Sequence, residues 1–261
     1  MVLGFEITIL ALIFLIVFLG GFVKGAAGFG YGVASTAVLT TLLEPSVAVV
    51  VMILPVLGAN LSLITELDSK GLQSCVRRFR YYVLAALIGT VVGMALLDVI
   101  PKPVVAFTLG IFVLGYVLFK QERFLLPGKE RLKSICFTPS NASKVGFGFV
   151  SGAVFGASNI GIQIVAYLDS LSLDRSTFVG VLAMILVGVS TIRVGLAWAL
   201  GLYGSGSLLP LSVIATFPGL VGVSVGTRVR NLLPQRYYET GVLILLVIVG
   251  VRLTYVGGIN I

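Results

Sequence analysis

Apolar residues run along this chain in long uninterrupted blocks, and the polar residues collect in short stretches between them. No block shows the roughly ten-residue alternation of a membrane β-barrel, so the pattern predicts helices throughout. The clearest blocks are Phe5–Lys24, Ser46–Glu66, Tyr81–Leu97, Val104–Phe119, Phe178–Gly201 and Leu208–Gly226. They approach or reach the ~20 residues that cross a bilayer as helix. Each half of the chain divides into five apolar segments: 5–24, 28–43, 46–66, 80–97 and 103–119, then 144–156, 158–169, 177–201, 207–227 and 236–256. The first two segments of the second half are too short to span a core of about 30 Å at ~1.5 Å per residue. They read as half-helices meeting at a break.

The halves are copies. Gly89-Thr-Val-Val-Gly93, followed by Pro101, recurs as Gly222-Val-Ser-Val-Gly226, followed by Pro234, all at an offset of 133 residues. Upstream, Gly21-Phe-Val-Lys-Gly25 matches Gly148-Phe-Val-Ser-Gly152 at an offset of 127. Fixed-period self-similarity is the mark of a duplication, and small residues four apart let helices approach closely. The expected organisation is a first transmembrane repeat over 1–119, a cytosolic linker over 120–143 and a second repeat over 144–261.

Charge sets the expected orientation. The connection after the third segment carries Lys70, Arg77, Arg78 and Arg80, while its counterpart around 201–207 carries no charge. After the fourth segment the bias reverses: Asp98 and Lys102 cancel, whereas Arg228, Arg230 and Arg236 stand unopposed. The linker adds Lys120, Arg123, Lys129, Arg131, Lys133 and Lys144. Basic loops stay in the cytosol, so both termini are expected outside. An odd number of segments per half makes the fold class all-α and polytopic, with two inverted-topology repeats and broken or re-entrant helices, an architecture that recurs in secondary transporters.

Composition agrees. The chain is 58% hydrophobic and 11% charged, with mean hydropathy +1.12, far from the roughly 25% charge of a soluble domain. The net charge of +8 sits beside membrane segments, with no aromatic-interleaved basic groove, so nucleic acid is not an expected partner. The chain holds no histidine, which removes the commonest metal ligand and general base, and no cluster of cysteines or carboxylates replaces it. No nucleophile motif surrounds its serines or lysines, and no phosphate-loop or dinucleotide pattern is present. Neither an enzyme, a metal nor a cofactor is expected. Cys75 and Cys136 fall in stretches assigned to the cytosol, where free thiols are the rule. The first segment lacks a basic stretch before its apolar core, Glu6 being the only early charge, and reads as a retained helix.

Each half offers one glycine-rich break where substrate chemistry can sit, because a broken helix aims unsatisfied backbone groups at the midplane. In the first half it is Gly25-Ala-Ala-Gly-Phe-Gly-Tyr-Gly32, including Gly28 and Gly30. In the second it is Gly156-Ala-Ser-Asn-Ile-Gly161, with Ser158 and Asn159 as candidate caps for the helix that follows. A helix starting at either break presents free N–H groups and a positive dipole end, which favour an anion. Arg193 is embedded in apolar sequence about 12 Å from its helix end at Gly201. Lys24 directly precedes the first break; it is a candidate ligand, or a lysine snorkelling to the interface. Asn60 and Gln163 either line the site or bond between helices. Glu66 and Asp68 are read as solvated at the interface, with a proton relay as the other reading.

The run from Gly21 to Gly32, followed by a short apolar segment, a loop with Pro45 and Ala48 heading the next helix, resembles the TauE/SafE sulfite exporter family. A weaker second copy begins at Gly148, and the resemblance covers nearly the whole chain. It implies a multi-pass carrier in a cell membrane, a prokaryotic inner membrane for this chain, moving sulfite, sulfonates or related small anions. Transport would be by alternating access, one half rocking against the other, with the proton as candidate coupling ion. The second copy departs from the glycine run, reading Phe155-Gly-Ala-Ser-Asn-Ile-Gly-Ile-Gln163, which puts the equivalence of the two breaks in question. A passive anion channel and a non-transporting subunit anchoring a partner are the alternatives. The particular anion, the direction and the oligomeric state stay open.

Overall fold

A computed structural model of the chain describes residues 5–27, 30–61, 69–120, 141–159, 161–170, 175–204, 207–229 and 235–259. Their regular structure is helical: α1 (Ile7–Ala27), α2 (Tyr31–Leu39), α3 (Pro45–Val51), α4 (Ile53–Leu61), α5 (Ser69–Val99), α6 (Lys102–Lys120), α7 (Asn141–Ser158), α8 (Ile162–Ser170), α9 (Arg175–Ala199), α10 (Leu208–Val229) and α11 (Gln235–Ile259). Within the described residues, four stretches are long and apolar enough to cross a membrane: Ile7–Ala26, Phe79–Leu96, Val181–Ala199 and Leu208–Val229. Large apolar side chains such as Trp198, Phe217 and Ile248 point outward, as a lipid-facing surface requires.

Three details depart from the apolar pattern. The helix starting the second half is not a half-helix: α7 begins at Asn141, so its polar first turn gives it 18 residues. Apart from α3 and α4, the pieces of the third segment, the short member of each half is the second helix, α2 or α8, each of nine residues. The basic stretch Lys70–Arg80 is not a loop but the first part of α5, whose 31 residues measure about 46 Å, longer than a bilayer core.

The third segment is broken in its middle, and the sequence explains why. Pro55 has no N–H to donate to the carbonyl of Val51, four residues back, and its ring crowds that carbonyl. Helicity lapses at Met52, between α3 and α4. The freed acceptors find side chains from far along the chain: Ser212 Oγ of α10 donates to Val51 O at 2.8 Å, and Asn159 Nδ2 donates to Val49 O at 3.0 Å. Inside a bilayer such substitutes are obligatory, since no water is present to take their place.

Helix pairing crosses the halves. The first helix of one half packs on the fourth of the other, α1 on α10 and α5 on α7. The third helices meet, α4 against α9, and so do the last, α6 against α11. Exchanging the halves maps this set of pairings onto itself. The repeated glycines form the seams. A Cβ on Gly25 would lie 2.1 Å from Val223 O of α10, and one on Gly89 would lie 2.0 Å from Phe149 O of α7. Gly222 and Gly226 abut the carbonyls of Phe18 and Phe22 in the same way, and Gly152 and Gly156 abut those of Ala86 and Thr90. At these positions the backbones touch, which is why nothing larger than hydrogen fits. Around the seams lie two apolar clusters, one built on Ile13, Phe79, Phe155 and Ile185, the other on Val33, Val49, Met94 and Val113.

Candidate anion-binding site

The two breaks are built from residues that tolerate a left-handed backbone. Gly30, at φ +93°, precedes α2, and Asn159, at φ +62°, follows α7. Glycine adopts this region freely, and asparagine is the side-chain-bearing residue that visits it most readily. The first backbone bond of α2 runs from Ala34 N–H to Gly30 O at 2.9 Å, leaving the N–H groups of Tyr31, Gly32 and Val33 without partners inside the helix. In α8 the first bonds run from Ile164 and Val165 N–H to Gly161 O, at 3.2 and 3.3 Å. The breaks meet: a Cβ on Gly32 would lie 2.2 Å from Asn159 O. Only glycine allows that approach.

Where they meet there is a cavity of about 50 Å³, room for a few water-sized groups at the ~10–15 Å³ each one needs. Lys24, the first turn of α2 from Gly30 to Val33, Asn60, Asn159 and Gly161 form its polar side, and Phe155, Leu182 and Leu186 close the apolar side. Among the described residues, Lys24 is the only charged one of that lining, and no carboxylate belongs to it. Its ammonium is buried and donates to Ala59 O at 2.6 Å and to Asn60 Oδ1 at 2.7 Å. Those acceptors lie in the last turn of α4, where a cation complements the dipole. Asn60 Nδ2 continues the chain of bonds to Ser190 Oγ on α9 at 3.1 Å.

Arg193 lies behind this cavity rather than in its lining. Its side chain is fully buried, and Nη1 donates to Asn159 Oδ1. The guanidinium carbon stands 5.2 Å from the centre of the Phe155 ring, within cation–π range. Nε and Nη2 have no partner among the described residues. Asn159 is thereby held from two sides, since its Nδ2 donates to Thr36 Oγ1 at 3.1 Å as well as to Val49 O.

The structure thus brings together Lys24, Gly30, Asn60, Asn159 and Gly161, with Arg193 one residue removed. Of the two candidate caps, the Ser158 hydroxyl donates back to Val154 O, and the Asn159 side chain is engaged by Thr36, Val49 and Arg193. A serine in a last helical turn reaches the carbonyl four residues back more easily than a helix beyond a break. Gln163 ties α8 to α7, donating from Nε2 to Ser151 O at 3.0 Å. Gly25 sits in the α1–α10 seam, outside the cavity lining. Gly28, Glu66 and Asp68 lie outside the described residues. Tyr31, Gly32 and Thr36 complete the site without having been singled out as ligands; the hydroxyl of Thr36 did not stand out beside those of Ser35, Thr40 and Thr41 in the same segment.

An outward-facing apolar surface around helices that break inside it, with an ammonium and two helix starts bordering an interior cavity, describes a multi-pass α-helical membrane protein. The family model for sulfite exporter TauE/SafE matches residues 13–253. The chain belongs to this family of membrane transporters. Comparisons with curated proteins and with solved structures yield no match.

Proposed function

We propose that the protein is a secondary transporter that carries a small sulfur-containing oxyanion, sulfite or a sulfonate, by alternating access. The observation that carries this reading is the cavity in which the Lys24 ammonium and the starts of α2 and α8 converge, with no acidic residue in its lining among the described residues. An oxyanion there accepts charge-assisted bonds from the ammonium and from oriented backbone N–H groups, in a setting whose low dielectric strengthens both. Asn60, held by Lys24 and Ser190, adds a positioned amide. The coupling ion of this proposal is the proton, and the site is a prokaryotic inner membrane.

The proposal includes two repeats, 1–119 and 144–261, joined by a cytosolic linker over 120–143 and inserted in opposite orientations. The exchange-symmetric pairing of α1 with α10 and α5 with α7 supports it. Those seams support a different division of the moving bodies from one half rocking on the other. Rocking one half against the other would shear backbone contacts that leave no slack. The rigid units of the transport cycle are instead the cross-half pairs α1–α10 and α5–α7, each carrying its own half-helix, α2 or α8.

The test is flux into proteoliposomes holding only this chain. Saturable sulfite uptake driven by a pH gradient is expected, and Lys24→Met should weaken apparent affinity roughly tenfold or more, the loss expected for a bond to a charged donor. Ohmic conduction identifies a channel, and absence of flux identifies a subunit that anchors a partner.

A further inference from the structure

Arg193 poses a problem that the cavity does not solve. A fully buried guanidinium with two of its nitrogens unpartnered is expensive in a membrane interior, and such residues mark a functional path by default. One nitrogen holds Asn159, which would justify an amide or a hydroxyl at this position but not a full charge. A second unpartnered donor lies near it. At the end of α9 the chain makes a Schellman turn, with Leu202 N–H bonded to Ala197 O, Gly201 N–H bonded to Trp198 O and Gly201 at φ +65°. The turn folds Tyr203 back into the protein, where its hydroxyl is buried with no partner among the described residues. Burial pushes the Tyr203 phenol up to about 12, although the nearby Arg193 charge pulls it down; it is therefore a neutral O–H donor at physiological pH. Arg193 stands at the seam of the two apolar clusters, one turn after Val189 of the first and one turn before Ala197 of the second. Phe155 and Asn159 line the Lys24 cavity and also contact the guanidinium.

We propose that Phe155 and Asn159 form a gate between two anion positions, the first at Lys24 and the second at Arg193 and Tyr203, and that the substrate anion passes from one cation to the other during transport. The inference rests on reading the Lys24 cavity as the first position. The second is closed in this conformation: Arg193 is fully buried, and Asn159 accepts from it in the anion's place. When the gate turns, an oxyanion takes over from Asn159, and Nε, Nη2 and the Tyr203 hydroxyl gain the acceptor they lack. In the topology proposed above, α1 runs inward towards Lys24 and α9 runs outward past Arg193. The handover is therefore one short step along the path across the membrane.

The test separates binding from movement, with sulfite as the probe. Equilibrium binding to purified protein and sulfite exchange in proteoliposomes are measured on Lys24→Met, Arg193→Gln, Arg193→Lys and Tyr203→Phe. Lys24→Met should lose binding. Arg193→Gln should bind within about twofold of the native protein yet exchange roughly tenfold to hundredfold more slowly, the loss of a charge-assisted contact. Arg193→Lys should recover part of the exchange, since it restores charge without the fork, and Tyr203→Phe should slow exchange with binding kept. Native exchange by Arg193→Gln overturns the proposal, and so does a loss of binding equal to that of Lys24→Met, which would merge the two positions. Native binding by Lys24→Met overturns the cavity reading itself, whatever Arg193 does. Should Arg193→Gln fail to fold, Phe155→Ala decides: an open gate should leak sulfite without exchange, and tight, coupled exchange by that variant would refute the gate.

Discussion

At the scale of single residues, the site depends on what a hydrogen atom permits. Gly30 and Gly32 lie in one turn and border one cavity, yet they are glycines for different reasons. A Cβ on Gly30 meets nothing nearer than Val23 Cγ1 at 3.8 Å, an ordinary contact, so Gly30→Ala is penalised only through its φ of +93°. That strain is about 1–2 kcal/mol, and the expected outcome is a lowered melting temperature with a modest change in sulfite affinity. A Cβ on Gly32 would lie 2.2 Å from the backbone oxygen of Asn159, so Gly32→Ala must separate the two breaks. It should raise the sulfite Kd well beyond Gly30→Ala, by roughly tenfold if one oriented contact to the anion is lost. Melting curves and titrations on the same preparations check both. Equal affinities would mean that the start of α2 does not face the ligand. The candidates Lys24, Arg193 and both breaks were legible in the sequence because charge and glycine are conspicuous in apolar surroundings. The work of Asn159 was not. Its partners Thr36, Val49 and Arg193 are far from it in sequence, and no local pattern separates a cap from a tertiary bond.

Elements show a similar division. The apolar blocks locate the helices because every backbone group in lipid must be bonded within its own segment. They miss the first turns of α5 and α7, where polar residues continue the helix beyond the apolar stretch. Gly89→Ala and Gly222→Ala should each lower the melting temperature, since a methyl would lie 2.0 and 2.1 Å from a facing carbonyl oxygen. Gly115→Ala is the control. Nothing lies within 4 Å of its Cβ, so removing a flexible residue from the interior of α6 should stabilise by about 0.5–1 kcal/mol. If all three shift alike, the seams are looser than the backbone contacts imply. The lapse at Met52 makes a further prediction. Ser212→Ala removes the donor to Val51 O and should destabilise by about 1–3 kcal/mol, the cost of a buried acceptor left unpaired. Proline at 55 was visible in the sequence; the serine that compensates for it, more than 150 residues later, was not.

For the whole molecule, the proposed duplication has a consequence that neither half alone contains. The glycine motif near the start of each repeat and the one near its end do not pair with each other. Each pairs with the other motif of the opposite repeat, Gly21 and Gly25 with the helix of Gly222, Gly89 and Gly93 with the helix of Gly148 and Gly152. Two copies that complete each other in this way must be related by a two-fold operation. The orientation proposed above puts that axis in the membrane plane, because matched connections carry opposite bias: Lys70, Arg77, Arg78 and Arg80 have no counterpart at 201–207, and Arg228, Arg230 and Arg236 face a neutral pair. Both termini should then lie outside, and the 120–143 linker should lie in the cytosol. The native Cys136 reports on the linker once Cys75 is changed to serine, and a cysteine added at the N-terminus reports on the other side. A membrane-impermeant maleimide should label the added cysteine in intact cells and Cys136 only after permeabilisation. Labelling of both from one side would place the two repeats in the same orientation. The exchange-symmetric pairing would then need an axis along the membrane normal, and the handover from Lys24 to Arg193 would no longer run across the membrane.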